Sequence, residues 1–156
     1  MKKLLVFSDS HGNVANMADT VRLEQPDGIL HLGDLVRDAQ RLGEQFPQIP
    51  LLFVPGNCDG RRSDLPQERV FTQEGCRIMM AHGHQYHVKM GRSAAESAAR
   101  QAGANILLFG HTHEPVCEFE RGLWIVNPGS AGSLAAATYA VICLEEDGAV
   151  CYISRI

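Results

Sequence analysis

The sequence predicts an α/β protein in which two packed β-sheets carry helices on their outer faces. Three observations predict it. Up to His113, strand-like apolar runs alternate with helical patterns. Beyond it, short strands follow one another with no helix between them. Together the strands are more than one small sheet holds comfortably, so the sheets must layer. At 156 residues the chain is expected to form one domain spanning residues 1–156, a length that buries roughly 68–70% of the unfolded surface.

In chain order, residues 4–7 are a buried strand. Val14, Met17, Ala18 and Val21 then recur at helical spacing behind Asn13, an N-cap residue type, and Pro26-Asp27-Gly28 ends that helix. Residues 28–33 form a second strand, 39–46 a helix, and 50–54 a third strand before Pro55-Gly56. Residues 77–81 are the next strand. Ser93 with Glu96 is a capping box opening an Ala-rich helix that Gly103 closes. Strands follow at 105–109, 116–120, 123–126, 138–144 and 149–154, with Asp147-Gly148 as a hairpin signal between the last two.

Composition excludes several classes. With 45% hydrophobic and 21% charged residues, 15 Gly and 7 Pro, the chain is neither disordered nor collagen-like. Its formal charge is −4 and no basic cluster exceeds Arg61-Arg62, so long nucleic acid is not an expected partner. Lys2-Lys3 before residues 4–7 imitates a signal peptide, but Ser8-Asp9 stops the apolar run short of the roughly 7–15 residues required. No apolar run spans a bilayer, so no membrane partner is expected. Cysteines at 58, 76, 117, 143 and 151 are odd in number and lack a Cys-x-x-Cys, which fits a reducing, cytoplasmic location.

Chemistry concentrates where strands run out. Five apolar runs end in a small residue followed by a metal-capable one: Ser8-Asp9, Gly33-Asp34, Gly56-Asn57, Ala81-His82 and Gly110-His111. His11 and His113 follow two residues after the first and last of these ligands, on the same side if strand geometry persists. A single His or Asp at such a place is ordinary turn chemistry. Five in one chain, two of them doublets, point instead to a built site beyond the carboxyl ends of the strands. Four imidazoles, two carboxylates and one amide carbonyl are too nitrogen-rich for Ca²⁺ or Mg²⁺ alone and lack the thiolates of structural zinc. Mn²⁺, Fe²⁺, Zn²⁺ or Co²⁺ suits them. The donors divide as four and four around two ions if one carboxylate is shared. Such ions sit about 3.5–4 Å apart and lower the pKa of bound water toward about 7 for in-line displacement at a phosphate ester.

These blocks, Asp9-Ser-His11, Gly33-Asp34, Gly56-Asn57-Cys58-Asp59, His82-Gly-His84 and Gly110-His111-Thr-His113, resemble the signature blocks of the calcineurin-like metallophosphoesterases. The match runs in order from about residue 3 to about 130. Its compact size and Asn127-Pro-Gly-Ser130 look most like the small YfcE-type phosphodiesterase group. The resemblance implies a four-layer αββα sandwich of two mixed sheets flanked by helices, the metallo-dependent phosphatase-like fold. It implies two divalent metal ions, Mn²⁺ foremost with Ni²⁺, Zn²⁺, Fe²⁺ or Co²⁺ as others. Asp9, His11, Asp34 and His113 would surround one ion, and Asp34, Asn57, His82 and His111 the other. The implied reaction is in-line attack of a metal-bridged hydroxide on a small phosphodiester.

Where many members carry His after the third-block Asn, as acid for the leaving group, this chain has Cys58. A thiol donates weakly, so turnover is expected to depend steeply on leaving-group acidity. Asp59 is expected to bond a ligand His, or to be a plain turn residue. Arg37 and His84 are the candidate substrate contacts; His87, in the same loop as His84, could also touch substrate or be structural, whereas His31, within a strand, is expected to be structural. Pocket walls are expected from loops 59–67 and 86–92. A phosphomonoesterase is the near alternative, since a dianion also suits a net +2 centre. A protein-binding scaffold of the same fold is the alternative of a different class, because a retromer subunit resembles this fold with an impaired centre. A structural metal protein is a third. The apolar C-terminal strands are compatible with a homo-oligomer without requiring one.

Overall fold

A computed structural model of the chain describes residues 1–60 and 64–156; the Arg61-Arg62 pair and part of the loop expected to wall a pocket lie outside the described residues. The elements run β1 (Lys2–Phe7), α1 (Val14–Glu24), β2 (Gly28–His31), α2 (Val36–Gln45), β3 (Leu51–Phe53), β4 (Glu68–Gln73), β5 (Cys76–Ala81), α3 (Ser93–Gln101), β6 (Ile106–Leu108), β7 (Val116–Glu120), β8 (Leu123–Asn127), β9 (Thr138–Glu145) and β10 (Gly148–Arg155). They build two five-stranded sheets, ordered β10-β9-β1-β2-β3 and β4-β5-β6-β8-β7. Both are mixed. β1, β2 and β3 are parallel, with β9 and β10 added antiparallel. β5, β6 and β8 are parallel, with β4 and β7 antiparallel at the edges.

Period-two alternation decides which side chains meet. In β1, Leu4 and Val6 join Ile78, Met80, Ile106 and Leu108 of the other sheet in the central core. Leu5 and Phe7 face the opposite way, against Met17, Ala18 and Val21 of α1 and Leu42 of α2. Met79 and Leu107 likewise turn outward onto Ala95 and Ala99 of α3. The result is the four-layer αββα sandwich. Leu5 is fully buried, and truncating such a residue to Ala costs about 2–5 kcal/mol. Among the described residues no helix is long and apolar enough to cross a membrane.

Several local expectations hold. Asn13 caps α1, its Oδ1 accepting the Asn16 N–H at 3.1 Å. Gly103, at φ +71°, closes the helix behind α3 with its N–H on the Arg100 carbonyl. Others change. Ser93 is not a cap: α3 starts after Arg92, and Glu96 pairs with the Arg92 guanidinium at 3.3 Å instead of reaching back to the backbone. The turn between β9 and β10 is Glu146-Asp147, with Gly148 already paired to Glu145. α2 begins at Val36 rather than 39, because Asp59 Oδ1 accepts the Val36 N–H at 2.8 Å and satisfies that helix end from a distant loop. β4 is an additional strand, an edge strand of alternating exposure joined to β5 by Glu74-Gly75, both at positive φ.

Candidate metal centre

The carboxyl ends of β1, β2, β3, β5 and β6 all open toward one rim, and backbone bonds stitch their loops together. The Asp9 N–H donates to the Gly33 carbonyl at 2.9 Å, the His11 N–H to the Asp34 carbonyl at 3.1 Å, and the Gly110 N–H to the His82 carbonyl at 2.8 Å. The doublets do not arise from strand alternation. Asp9, His11, Asp34, His111 and His113 all sit at positive φ, between +44° and +69°. An L-residue there is strained by roughly 1–2 kcal/mol, and such strain persists only where surrounding contacts over-determine it, as at functional sites.

The small residues before the ligands serve mainly to make room for a neighbouring ligand. A Cβ on Gly56 would lie 2.1 Å from Asp34 Oδ1, and one on Gly110 would lie 2.1 Å from Ser8 Oγ and 2.8 Å from Asp9 Oδ2.

Asp9 is fully buried and its two oxygens differ. Oδ2 accepts the Ser8 hydroxyl at 2.6 Å and the His111 N–H at 3.0 Å. Oδ1 is buried with no hydrogen-bond partner, and the Nε2 atoms of His113, His11 and His82 stand around it at 3.2, 3.7 and 3.7 Å. His82 Nε2 is likewise buried without a hydrogen-bond partner, 3.4 Å from Asp34 Oδ2. The Leu32 carbonyl, 2.8 Å from His82 Nδ1, can only accept, so Nδ1 carries a proton and, when the ring is neutral, Nε2 is the nitrogen that presents a lone pair. A buried carboxylate oxygen without a hydrogen-bond partner is costly alone and is satisfied by a cation held between it and the neighbouring imidazoles. The donor set therefore fits a metal site. Its ligand atoms form overlapping groups, Asp9–His11–His113, Asp9–Asp34–His82 and His11–Asp34–Cys58, each within 4.8 Å.

Charge follows this geometry. Burial alone raises the Asp34 carboxyl, but His82 and the Cys58 N–H, which donates to Oδ1 at 2.9 Å, outweigh it and hold the group well below the usual carboxylate range. Burial lowers His82, and the Asp34 and Asp9 carboxylates more than reverse this. Burial and then His82 lower both His84 and His111. Burial and then Asp34 raise the Cys58 thiol, which keeps its proton.

The other candidates are placed as follows. His111 lies with its ring 5.1 Å from that of His82. Asn57 is exposed on the 3₁₀ turn Asn57–Asp59, its Nδ2 3.7 Å from Cys58 Sγ. The His84 ring lies 5.5 Å from that of His82, tilted by 54°, with a buried, unpartnered Nδ1. Arg37 lines a groove of about 300 Å³ with Leu35, Cys58 and Asp59. Asp59 bonds no histidine among the described residues. Its Oδ2 accepts the N–H groups of Asp34 (3.1 Å) and Gly56 (2.8 Å), binding the second and third ligand loops together.

Sequence reasoning missed the groups that hold these loops. His31, taken only as structural, accepts the Gly33 N–H on Nδ1, so its Nε2–H donates to Ser10 Oγ at 3.0 Å. Ser10 in turn donates to Asp38 at 2.7 Å, which also accepts the Gly12 N–H. The Asn127-Pro-Gly-Ser130 turn, by contrast, stands out in the sequence as one that could lie near the metals: Ser130 Oγ donates to the Asp9 carbonyl, and Asn127 Nδ2 to the Gly110 carbonyl. Asp38 was detectable: it is a carboxylate on the buried side of α2 beside Val36, Ala39 and Leu42.

The profile of the calcineurin-like phosphoesterase superfamily domain matches residues 1–147. A probable metallophosphoesterase of Bacillus subtilis, YsnB, is 30% identical over 152 residues, covering 94% of this chain and 86% of the relative. The Escherichia coli phosphodiesterase YfcE is 26% identical over 156 residues, covering 83% and 79%. Among solved structures, Vps29 of Chaetomium thermophilum superposes with a TM-score of 0.80 at 19% identity, over 100% of this chain and 92% of that one, a likeness of fold.

Proposed function

From the premise that the chain belongs to the calcineurin-like phosphoesterase superfamily, we propose that it hydrolyses small phosphodiesters at a centre of two divalent ions, with Mn²⁺ the first choice. Asp9, His11, Asp34 and His113 would hold one ion, and Asp34, Asn57, His82 and His111 the other. When bound, the ions supply a water of lowered pKa and neutralise charge on the reacting phosphoryl group. The observation that carries the proposal is Asp9 Oδ1, buried, unpartnered and ringed by three imidazole nitrogens.

The chain's own residues do the rest. Asp34, ionised across the neutral pH range, is shared between the two ligand groups that include His11 and His82. Leu32 and Ser8 orient His82 and Asp9 so that Nε2 of one and Oδ1 of the other face the centre. The Cys58 thiol lies beside Asp34 as a proton donor, and its weakness favours acidic leaving groups over alkoxides. That favours a diester with a good leaving group over a monoester. The five cysteines, all free, fit a reducing cytoplasm.

A panel of aryl and alkyl mono- and diesters, assayed across Mn²⁺, Ni²⁺, Zn²⁺, Fe²⁺ and Co²⁺, tests the proposal. Metal-dependent turnover of aryl diesters above monoesters is expected. Turnover of monoesters alone would favour the phosphomonoesterase, and none with any metal would favour the scaffold.

A further inference from the structure

A cavity of about 840 Å³ adjoins the centre on the side of His11 and His113, walled beyond them by Ser130, Thr138, Ile153 and Arg155. We infer that it receives one ester substituent of the substrate, and that Arg155 pairs with an anionic group, phosphate or carboxylate, carried by that substituent. This rests on the phosphodiesterase reading and deepens it.

Size comes first. Small-molecule sites occupy roughly 300–1,000 Å³, so this cavity takes a nucleotide-sized arm rather than a phosphate alone. The smaller groove beside Arg37 and Cys58 lies against the other ligand loops. A diester presents two arms to the centre, and two unequal recesses receive them.

Charge comes second. Among the described residues, Arg155 is the only Lys or Arg lining the large cavity, and no Asp or Glu lines it. Several other arginines are engaged: Arg22 pairs with Asp19, Arg92 with Glu118, and Arg69 and Arg100 donate to backbone carbonyls; Arg155 is set apart from the remaining free arginines by its place on the wall of the large cavity. Arg155 makes no ion pair or side-chain hydrogen bond with any described residue. In a chain of net charge −4, a guanidinium left free over a cavity without carboxylates is complementary to an anion from outside. Its backbone is fixed, since Arg155 pairs with Thr138 at the end of β10 and the next N–H continues to the Ala137 carbonyl.

The remaining walls suit the body of such an arm. Ile153, Pro115 and Ala136 offer apolar surface. The hydroxyls of Ser130 and Thr138 already donate to backbone carbonyls and so present only lone pairs. The hydroxyls of Ser133 and Ser154 also line the cavity, but Arg155 brings the guanidinium charge that an anion pairs with.

The test uses two p-nitrophenyl alkyl phosphodiesters that differ only in the alkyl tip, carboxylate or carboxamide. In each, a water oxygen bonds to phosphorus, the P–O bond to the aryl group breaks, p-nitrophenolate leaves and the proton passes to buffer. With the Mn²⁺-loaded chain, KM for the carboxylate tip is expected to be about tenfold lower, the scale of one charge-assisted hydrogen bond. Arg155→Gln removes that preference without moving KM for the carboxamide or the melting temperature, and Arg155→Lys restores part of it. The same pair of tips on non-hydrolysable phosphonates is measured by calorimetry. Turnover without tip preference overturns the inference and leaves the phosphodiesterase reading standing. No turnover, with a carboxylate preference in binding that Arg155→Gln abolishes, does the reverse. Equal loss on both tips in Arg155→Gln also overturns the inference.

Discussion

Asp59 holds Asp34 from 25 residues away: its Oδ2 accepts the Asp34 backbone N–H at 3.1 Å. The same carboxylate accepts the Gly56 and Val36 N–H groups, so one side chain fixes two ligand loops and the start of α2. Asp59→Ala leaves three backbone donors unpaired and is expected to destabilise the chain by about 2–4 kcal/mol. Asp59→Asn, which keeps one acceptor oxygen, loses about half as much. Urea unfolding of both variants, with a Mn²⁺ titration of each, checks this. Equal stability of Asp59→Ala and the parent would contradict it.

Gly110 predicts a separation of metal binding from folding. Its added Cβ would meet Ser8 Oγ and Asp9 Oδ2, the two groups that aim Asp9, while leaving both sheets untouched. Gly110→Ala should weaken Mn²⁺ binding by about 10–100-fold, the usual effect of disturbing a group behind a ligand. Far-UV circular dichroism should stay unchanged. Loss of the fold together with the metal would show that Gly110 is needed for the chain to fold at all.

His31 predicts an acid-sensitive stability. Burial, opposed by Asp38, lowers its pKa from 6.5 to about 4. Between these values the unfolded chain binds more protons than the folded one. The contribution is present above pH 6.5 and is lost as pH falls toward 4, at about 3 kcal/mol in all. His31→Asn keeps an acceptor for the Gly33 N–H and cannot titrate. Its metal-free unfolding free energy should fall less between pH 7.5 and 4.5 than that of the parent. Identical pH slopes would refute the assignment.

Cys58 predicts how rate follows the leaving group. Its thiol sits beside Asp34 with its pKa raised by burial and by that carboxylate, so it assists poorly in protonating an alkoxide. For aryl diesters of graded acidity, log kcat should fall steeply as leaving-group pKa rises, and Cys58→Ala should change the slope little. A flat dependence would require a donor other than Cys58.

Much of this architecture was legible because apolar alternation and strand-end chemistry are local signals. The two-sheet layering follows from runs such as 4–7 and 138–144, whose alternate residues divide between central and outer cores. β4 was not legible: Glu68–Gln73 alternates exposed with partly buried positions at a sheet edge, but Val70 is exposed and Arg69 and Gln73 are partly buried, so no polar–apolar alternation shows, and Glu74-Gly75 is a weak turn signal compared with Asn-Gly. The Ser93–Glu96 box misled because Arg92 offers Glu96 a stronger charged partner than a backbone N–H. At the centre, the candidate ligands were readable from type and spacing, but their left-handed backbones were not. Nor were the Ser10–Asp38 and Asp34–Asp59 bonds, which join residues 28 and 25 apart, nor Arg155, whose neighbours belong to other loops.

The central claim is a two-ion hydrolytic centre built around Asp34. It is tested most directly by titrating the metal-free chain with Mn²⁺ while following hydrolysis of bis(p-nitrophenyl) phosphate, beside Asp34→Asn. The account predicts no turnover without metal, a rise that saturates at two equivalents per chain, and loss of that rise in Asp34→Asn. Saturation at one equivalent, or turnover that survives Asp34→Asn, would contradict it.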